Sequence, residues 1–537
     1  MDNKNFVAIA QINMIAGNLE YNSNKIIENI KKAESLGAEL IVFPAKTLLG
    51  YGMSDFVNRF EFIVEQEKKW LEKIAEHTKN ITALIGFTEK KSEEYIAIIK
   101  DGKINYYSMQ DSDIISSKLV YAGDEFLIKM DSIPSKTNSF EYRVKNISQL
   151  AKKYELPVVE VNQVGAIDNN SYAGLSMVCN SNGEITAILK DFEEDLLCIN
   201  PYNKIPLKLL QNKIQEEFSL DYEWDLERTY KSLVQGIRDY FQKCGLKRAV
   251  LGLSGGLDST VCAVLLVDAL GKENVYGVSM PSKLTSQESK TDAEDLAKNL
   301  GIGFYEASIK PMVDTLNNCL DDIFKQVQKS WDCRYKKSFT QDNIQARSRA
   351  MYLWSISNEF ESCIPIATSD KSESYMGYAT VNGDMSGGFA PIADVTKTKL
   401  FALARWMNEN RTQKNDIPEA ILLKKPGAEL AIDEKTGKTL NAEDALMPYE
   451  FMDEIIWRIE NKHDSYEQLL ESEFIYEKKF KISKEQKIEW LDKFFRRMST
   501  AIYKWSILPP SVIVDFETIN KSKYYQPITS GSVNYKK

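Results

Sequence analysis

Histidine is almost absent from this 537-residue sequence, which contains only His77 and His463. Neither lies near another recognisable catalytic motif, so a hydrolase built on a Ser/His/Asp triad is nearly excluded. Cysteine is also sparse, with seven residues scattered singly and no CxxC or Cys/His pair. We therefore expect reduced, mostly buried thiols, and neither a disulfide framework nor a zinc site. Any chemistry must use other side chains.

Long apolar runs and basic clusters are missing as well. No run approaches the ~20 residues that a membrane-spanning helix needs. The first residues, MDNKNFVAIAQINMIAG, lack the charged and apolar segments of a secretory signal, so we expect a cytoplasmic protein without membrane contact. The formal net charge is -9, and no basic stripe is present that could neutralise a run of phosphates. Nucleic acid is therefore not expected as a partner.

The length of the chain indicates more than one domain, because single cores stop growing at about 250 to 300 residues. In the first half, strand-like segments such as FVAIAQI at 6–12 alternate with amphipathic helices such as 21–36, which predicts an α/β domain. The pattern changes around 200–225, and a long amphipathic helix is predicted to begin near Asp225. The predicted organisation is a domain at 1–205, a linker at 206–224 and a second domain at 225–537.

The second domain begins with a β-α-β pattern. RAVLGL at 248–253 reads as a strand, the segment 259–271 as a helix and NVYGVSM at 274–280 as the next strand. Parallel strands joined by helices form sheets with helices on both faces. We therefore predict a doubly wound parallel sheet.

A glycine-containing loop, LSGGLDST at 253–260, follows the first of these strands directly and precedes the helix. The adjacent Gly255 and Gly256 let the backbone approach an anion closely, while the hydroxyls of Ser254 and Ser259 and the free amides of the helix start point at the same spot. The loop lacks the spacing of the GxxxxGK[ST] and GxGxxG motifs. It predicts an oxyanion site, and a simple glycine-rich connection is the alternative.

SGGxDS after a strand resembles the pyrophosphate loop of the ATP-pyrophosphatase superfamily, which has the adenine nucleotide alpha-hydrolase-like fold and splits ATP into AMP and pyrophosphate. Three downstream blocks, QDNIQARSR at 341–349, ATSDKSE at 367–373 and NGDMSGGFAPIADVTKT at 382–398, closely resemble NAD synthetase. Synthetases for GMP, asparagine and argininosuccinate and tRNA thiolation enzymes share the loop. The downstream blocks disfavour them.

The resemblance implies ATP-dependent amidation of deamido-NAD to NAD through an adenylated intermediate, with Mg2+ as cofactor and a homo-oligomeric assembly. Magnesium and lysines would offset the repulsion between the substrate anions. Taken singly, the matched residues could be a solvated charge pair or a simple loop. By resemblance, the catalytic residues are Asp258, Lys371 and Lys397; the ATP-binding residues are Ser254, Gly255, Gly256, Asp258, Ser259, Arg347 and Thr368; Asp384 and Lys371 bind substrate; and Asp258 and Glu373 bind the metal.

Two positions depart from the family pattern. Asp370 stands where the family usually has asparagine, which adds negative charge beside a polyanion. Gly427 stands where the family has a hydroxyl, so a phosphate or metal contact is expected to be lost. Either change can slow the reaction without changing its type.

The first 200 residues resemble the nitrilase-type amidase domain that glutamine-dependent NAD synthetases carry, on segments such as GAELIVFP and VVEVNQVGAIDNNSYAG. The resemblance implies an α-β-β-α fold. That chemistry needs a glutamate base, a lysine and a cysteine nucleophile. The base position holds Ala45 and the lysine position Met109 or a neighbour, while the segment 111–160 contains no cysteine and looks shortened. Cys179 and Cys198 lie in apolar strand-like settings and are expected to be structural.

We therefore expect a degenerate amidase domain and a synthetase that uses free ammonia. One alternative is ammonia supplied by a separate glutaminase that docks on the chain. Another is a non-catalytic homologue that binds nucleotide, which the intact SGGLDST and KSE segments disfavour.

Overall fold

The computed structural model describes residues 7–60, 62–88, 93–109, 114–119, 124–202, 226–331, 337–424, 443 and 446–515. The chain divides into two compact units, residues 1–243 and 244–537. In the described part of the chain, no helix has the length and apolar character needed to cross a membrane.

The first unit contains two sheets and a hairpin. The six-stranded sheet has the order β13-β1-β2-β3-β4-β5, the five-stranded sheet has the order β12-β11-β8-β7-β6, and β9 pairs with β10. The strands are β1 (Val7–Gln11), β2 (Leu40–Val42), β3 (Thr82–Thr88), β4 (Glu94–Lys100), β5 (Lys103–Ser108), β6 (Ile114–Ser116), β7 (Leu127–Asp131), β8 (Val158–Asn162), β9 (Val164–Ile167), β10 (Asn170–Ala173), β11 (Met177–Cys179), β12 (Ile185–Ile188) and β13 (Asp195–Ile199). The helices are α1 (Leu19–Ser35), α2 (Ser54–Arg59), α3 (Phe62–Ala75), α4 (Ser139–Tyr154) and α5 (Leu226–Lys243).

The two sheets lie between helical layers. Successive strand residues point to opposite faces, so Val7 and Ile9 enter the core between the sheets while Ala8 packs toward α1 and α3. In the second sheet, Val159 faces the inter-sheet core and Val158 packs against α4. These three apolar layers confirm the predicted α-β-β-α fold.

Helix α5 packs on the β9-β10 hairpin of the first unit. The carboxylate of Asp239 accepts hydrogen bonds from the Ala166 amide and from Asn13 Nδ2. Lys243 Nζ donates to Asn13 Oδ1 at 2.8 Å. The predicted second domain, 225–537, included this helix, whereas the compact unit begins at Cys244. The difference arises because an amphipathic pattern shows that a helix buries one face but not which unit that face contacts.

The second unit contains a four-stranded parallel sheet with the order β16-β15-β14-β17, which confirms the predicted doubly wound sheet. Its strands are β14 (Arg248–Gly252), β15 (Val275–Ser279), β16 (Gly303–Glu306) and β17 (Cys363–Pro365). Its helices are α6 (Leu257–Leu270), α7 (Gln287–Leu300), α8 (Lys310–Trp331), α9 (Lys337–Glu359), α10 (Lys371–Met376), α11 (Lys397–Asn410), α12 (Glu419–Leu423), α13 (Tyr449–Lys462), α14 (Tyr466–Glu471), α15 (Ile475–Phe480) and α16 (Lys484–Trp505).

The strand order places a crevice between β14 and β17. The chain passes from β14 outward to β15 and β16, and then returns to β17 on the other side of β14. Ligands of open α/β sheets bind where the strand order reverses in this way, beyond the carboxyl ends of the strands. The loop 253–256 after β14 and the segment 366–370 after β17 both leave the sheet at this edge.

A buried ion pair holds α4 on the second sheet of the first unit. Arg143 Nη2 and Nε donate to the two carboxylate oxygens of Glu160 at 2.9 and 3.2 Å, and the side chains are 3% and 0% exposed. Removing one partner leaves an uncompensated buried charge, which costs about 3–5 kcal/mol.

We predict that Glu160→Gln lowers the free energy of unfolding of the first unit by about 3 kcal/mol or more. Urea denaturation of the full chain, with hydrogen exchange of the α4 and β8 amides to report this unit, measures the change. Glu193→Gln is the matched control, because Glu193 pairs with Lys190 on the surface, and it should change stability by less than about 0.5 kcal/mol. Equal effects of the two substitutions would contradict this role of the buried pair.

Candidate active site

The loop after β14 brings two hydroxyl groups and the start of α6 together. Ser254 Oγ lies 3.2 Å from Ser259 Oγ and accepts a hydrogen bond from the Gly256 amide at 3.2 Å. Ser259 Oγ donates to the Gly256 carbonyl at 3.1 Å. Ser254 is exposed, and the first amides of α6 have no acceptor within their own helix. The predicted binding of an anion by this loop, called the SGGLDS loop below, stays a prediction.

Gly255 is required by two separate features of the loop. Its φ of +74° lies in the left-handed region, which L side chains rarely adopt. A Cβ atom on Gly255 would also lie 2.1 Å from the Ser289 carbonyl oxygen at the start of α7. No other residue fits there without moving one of these backbone segments.

A buried ammonium group lies beside this loop. Lys397 Nζ contacts Asp258 Oδ1 at 2.6 Å, Asp370 Oδ2 at 2.8 Å and Glu373 Oε1 at 3.1 Å. The Lys397 side chain is 1% exposed. Burial alone would lower the pKa of Lys397, but the three carboxylates raise it well above its ordinary value. The ammonium therefore stays charged, whereas burial raises the pKa of Asp370 and raises the pKa of Glu373 well above its ordinary value.

A second group of contacts lies behind the first. Asp453, on α13, accepts hydrogen bonds from Ser372 Oγ at 2.5 Å and from the Thr398 amide and hydroxyl at 2.8 and 2.7 Å. The Lys397 amide donates to Ser372 Oγ at 2.9 Å. Burial raises the pKa of Asp453 to about 6, although its hydrogen bonds act in the opposite direction. Asp453 thus joins the first turns of α10 and α11.

A third group contains Lys371, whose ammonium contacts carboxylates outside the SGGLDS loop. Its ammonium contacts Glu460 at 2.6 Å, Asp515 at 3.1 Å and Asp394 at 3.2 Å, and the side chain is 0% exposed. Lys399 Nζ contacts the other oxygen of Asp515 at 3.1 Å. In this position Lys371 is fully buried among carboxylates, so the structure does not support its predicted contacts with the reacting groups and the substrate. Residues two apart at a helix start face different sides, so Lys371 and Glu373 enter different groups.

The remaining predicted residues lie on separate segments of the second unit. Thr368 follows β17 and is half-buried. Arg347 is exposed on α9 and donates from Nε to the Val381 carbonyl at 3.1 Å. Asp384 is exposed and accepts a hydrogen bond from the Thr380 amide at 2.6 Å. Gly427 lies outside the described residues.

Asp453 and Tyr449 are site residues that the sequence analysis missed. The Tyr449 ring lies 5.5 Å from Lys397 Nζ, a distance at which a ring face attracts a cation. The sequence analysis gave neither residue a role. One signal was available for Asp453, because it interrupts the apolar segment FMDEII of a helix that is buried on several sides.

The carboxylates of Asp258 and Glu373 fit a magnesium site in part. Their side chains are 27% and 18% exposed, so each can offer an oxygen to a ligand. Proteins bind Mg2+ through one or two carboxylates together with substrate phosphates. Among the described residues, no cluster of three or more His, Cys, Asp or Glu side chains is arranged to hold a metal ion by itself.

In the first unit, the predicted base and lysine positions lie in the same apolar cluster. Ala45 and Met109 are both buried in the core between the two sheets. Ser132 Oγ donates to the Ala45 carbonyl at 2.8 Å. Cys179 packs between the second sheet and α4, and Cys198 packs on the helical face of the first sheet. Burial raises the pKa of Cys179 to about 12 and that of Cys198 above its ordinary value.

Known proteins resemble the chain over most of its length. The NAD synthase family model matches residues 229–492. A glutamine-dependent NAD(+) synthetase of Thermotoga maritima is 34% identical over 521 residues, which cover 84% of this chain and 88% of that protein. The corresponding protein of Synechocystis sp. is 31% identical, with 89% and 92% covered.

A solved structure agrees with these relatives. The glutamine-dependent NAD+ synthetase of Acinetobacter baumannii, determined with bound ADP, has a TM-score of 0.66, 26% identity and coverage of 98% of this chain and 99% of that chain. The similarity therefore extends over both units. The chain belongs to the NAD synthetase family and is a carbon–nitrogen ligase.

Proposed function

We propose that this chain converts deamido-NAD to NAD with ATP, through an adenylated carboxylate, and releases AMP and pyrophosphate. The observation that carries the proposal is the SGGLDS loop, which lies at the strand-order reversal and beside the ammonium of Lys397. The relative from Acinetobacter baumannii binds an adenine nucleotide, which supports ATP as the co-substrate.

The described residues contribute hydrogen-bond donors for the phosphates and carboxylates for a metal ion. The hydroxyls of Ser254 and Ser259 and the amides of the helix start bind the departing pyrophosphate. Lys397, whose ammonium is buried among three carboxylates, positions Asp258 and Glu373 and offsets part of their charge. Asp258 and Glu373 would hold magnesium, which supplies further charge neutralisation when it is bound.

We further propose that the nitrogen comes from free ammonia. A glutaminase of this type forms a thioester, which requires a thiol and a base in the same pocket. Ala45 and Met109 supply neither a base nor a cation, and both cysteines of the first unit pack away from Ala45, on the helical faces of the sheets. The relatives carry the name glutamine-dependent, so this chain would differ from them in its nitrogen source.

Asp258→Asn and Glu373→Gln are each predicted to lower kcat at least ~100-fold, because each removes a charge that would hold magnesium near the phosphates. NAD formation at saturating ATP and ammonium measures the loss. Circular dichroism should show the same fold in both variants. Rates close to wild type in either variant would remove that residue from the proposed metal site.

The products of ATP cleavage are predicted to be AMP and pyrophosphate. The loop lacks the lysine that γ-phosphoryl transfer uses in P-loop enzymes, and its hydroxyls instead favour a bound pyrophosphate leaving group. Chromatography of the nucleotides, with a coupled assay for pyrophosphate, identifies the products. ADP and inorganic phosphate would contradict the proposed chemistry.

With ammonium as the nitrogen donor the purified chain should form NAD, and with glutamine alone it should form none. Cys179→Ala and Cys198→Ala should leave ammonium-dependent synthesis unchanged, because the buried Cys179 and the half-buried Cys198 both lie away from Ala45 and their partial or full burial raises their pKa values. Restoring glutamate at Ala45 alone should not create glutaminase activity, since the groups of such a site act as a unit. Glutamate release from glutamine that Cys179→Ala abolishes would show that a rebuilt amidase site exists.

A further inference from the structure

Two short segments each contribute one side chain to each of three buried groups. At the start of α10, Lys371, Ser372 and Glu373 are consecutive. At the start of α11, Lys397, Thr398 and Lys399 are consecutive, and they enter the same groups in reverse order. Glu373 contacts Lys397 beside the SGGLDS loop. Ser372 and Thr398 both donate hydrogen bonds to Asp453. Lys371 and Lys399 both form ion pairs with Asp515. The first and third groups are therefore joined through the same two helix starts.

Asp515 lies on a segment that is fixed by its own backbone contacts. The Ala390 amide donates to the Pro510 carbonyl at 2.9 Å, and Ala390 forms a parallel bridge with Ser511. The amides of Val514 and Asp515 both donate to Asp394 Oδ2, at 2.8 and 3.0 Å. The segment 510–515 is thus a fixed support from which the Asp515 carboxylate reaches the two helix starts.

The carboxylate of Asp515 bridges two buried cations. Oδ2 contacts Lys371 Nζ and Oδ1 contacts Lys399 Nζ, each at 3.1 Å, and the two lysine side chains are 0% and 3% exposed. Burial acts to raise the pKa of Asp515, but the two ammonium groups hold it well below its ordinary value. Without a negative charge between them, the two lysines would repel each other across a medium of low dielectric constant.

We propose that Asp515 is a positioning residue that sets the distance between Glu373 and Lys397 by holding together the first turns of α10 and α11. The effect on catalysis rests on the proposed function of those two side chains. Active-site groups must be held within about 0.5 Å of their productive positions. A displacement of 1 Å by a change away from the reacting atoms can cost on the order of 100-fold in rate.

Asp515→Asn tests this role, because it removes the charge and keeps the size of the side chain. We expect kcat for NAD formation to fall at least tenfold, with the KM for ATP changed less than threefold. Asp515→Glu keeps the charge and should retain more than a third of wild-type kcat. Lys399→Gln removes one of the two ion pairs and should lower kcat at least threefold, so it reports on the same role if Asp515→Asn does not fold.

Asp268→Asn is the matched control. Like Asp515, Asp268 uses both carboxylate oxygens in contacts with buried positive charge, in this case the guanidinium of Arg411. Its side chain is 20% exposed, close to the 21% of Asp515. It lies in the last turn of α6, away from the loop that precedes this helix. Asp268→Asn should lower Tm yet leave kcat within twofold of wild type. A loss of kcat in Asp515→Asn no larger than that in Asp268→Asn would overturn the proposal.

Hydrogen–deuterium exchange tests whether the two helix starts are held in place, and it does not depend on enzymatic activity. In Asp515→Asn, amides of the peptides 369–376 and 395–402 should exchange at least tenfold faster than in wild type, and in Asp268→Asn they should not. Unchanged exchange in both peptides would overturn the positioning role. If Asp515→Asn exchanges faster but the wild-type protein makes no NAD, the positioning role is supported and the proposed function is contradicted.

Discussion

The second unit is organised around one buried positive charge. An ammonium group that is 1% exposed is stable only when it is paired, and Lys397 is paired with carboxylates from the first turn of α6 and from the start of α10. These segments are more than a hundred residues apart in the chain. The parallel sheet brings them together because β14 and β17 are neighbouring parallel strands, and the segments that follow them begin at the same edge of the sheet.

The same principle explains why the site has further carboxylates behind it. In the first turns of α10 and α11, Glu373 and Lys397 lie beside the SGGLDS loop, and the residues two positions away, Lys371 and Lys399, lie in a different buried group. Those interior lysines need partners of their own, which Asp515, Asp394 and Glu460 provide. Buried ion pairs add little net stability, but breaking them is costly, so they favour one arrangement of the helices over others.

The sequence predicted the parts of this site that local chemistry defines. The SGGLDS loop, its helix and the doubly wound sheet follow from spacing and periodicity. The roles of Lys371 and Lys397 could not be distinguished, because both are lysines at helix starts beside acidic residues, and only tertiary packing decides which one meets the loop. Asp453 and Asp515 belong to no motif. The position of α5 was missed because its buried polar partners, Asn13 and Ala166, lie far away in the sequence.

The proposed nitrogen source of the synthetase site, free ammonia, can be tested directly by isotope labelling. Purified protein can be supplied with ATP, magnesium, deamido-NAD and equal concentrations of [15N]ammonium and ammonia-free glutamine of natural isotopic composition. Mass spectrometry of the product then measures the label in the carboxamide nitrogen of NAD. We expect all of the NAD that is formed to carry 15N in its carboxamide nitrogen. NAD with unlabelled carboxamide nitrogen, in an amount that rises with the glutamine concentration, would contradict it.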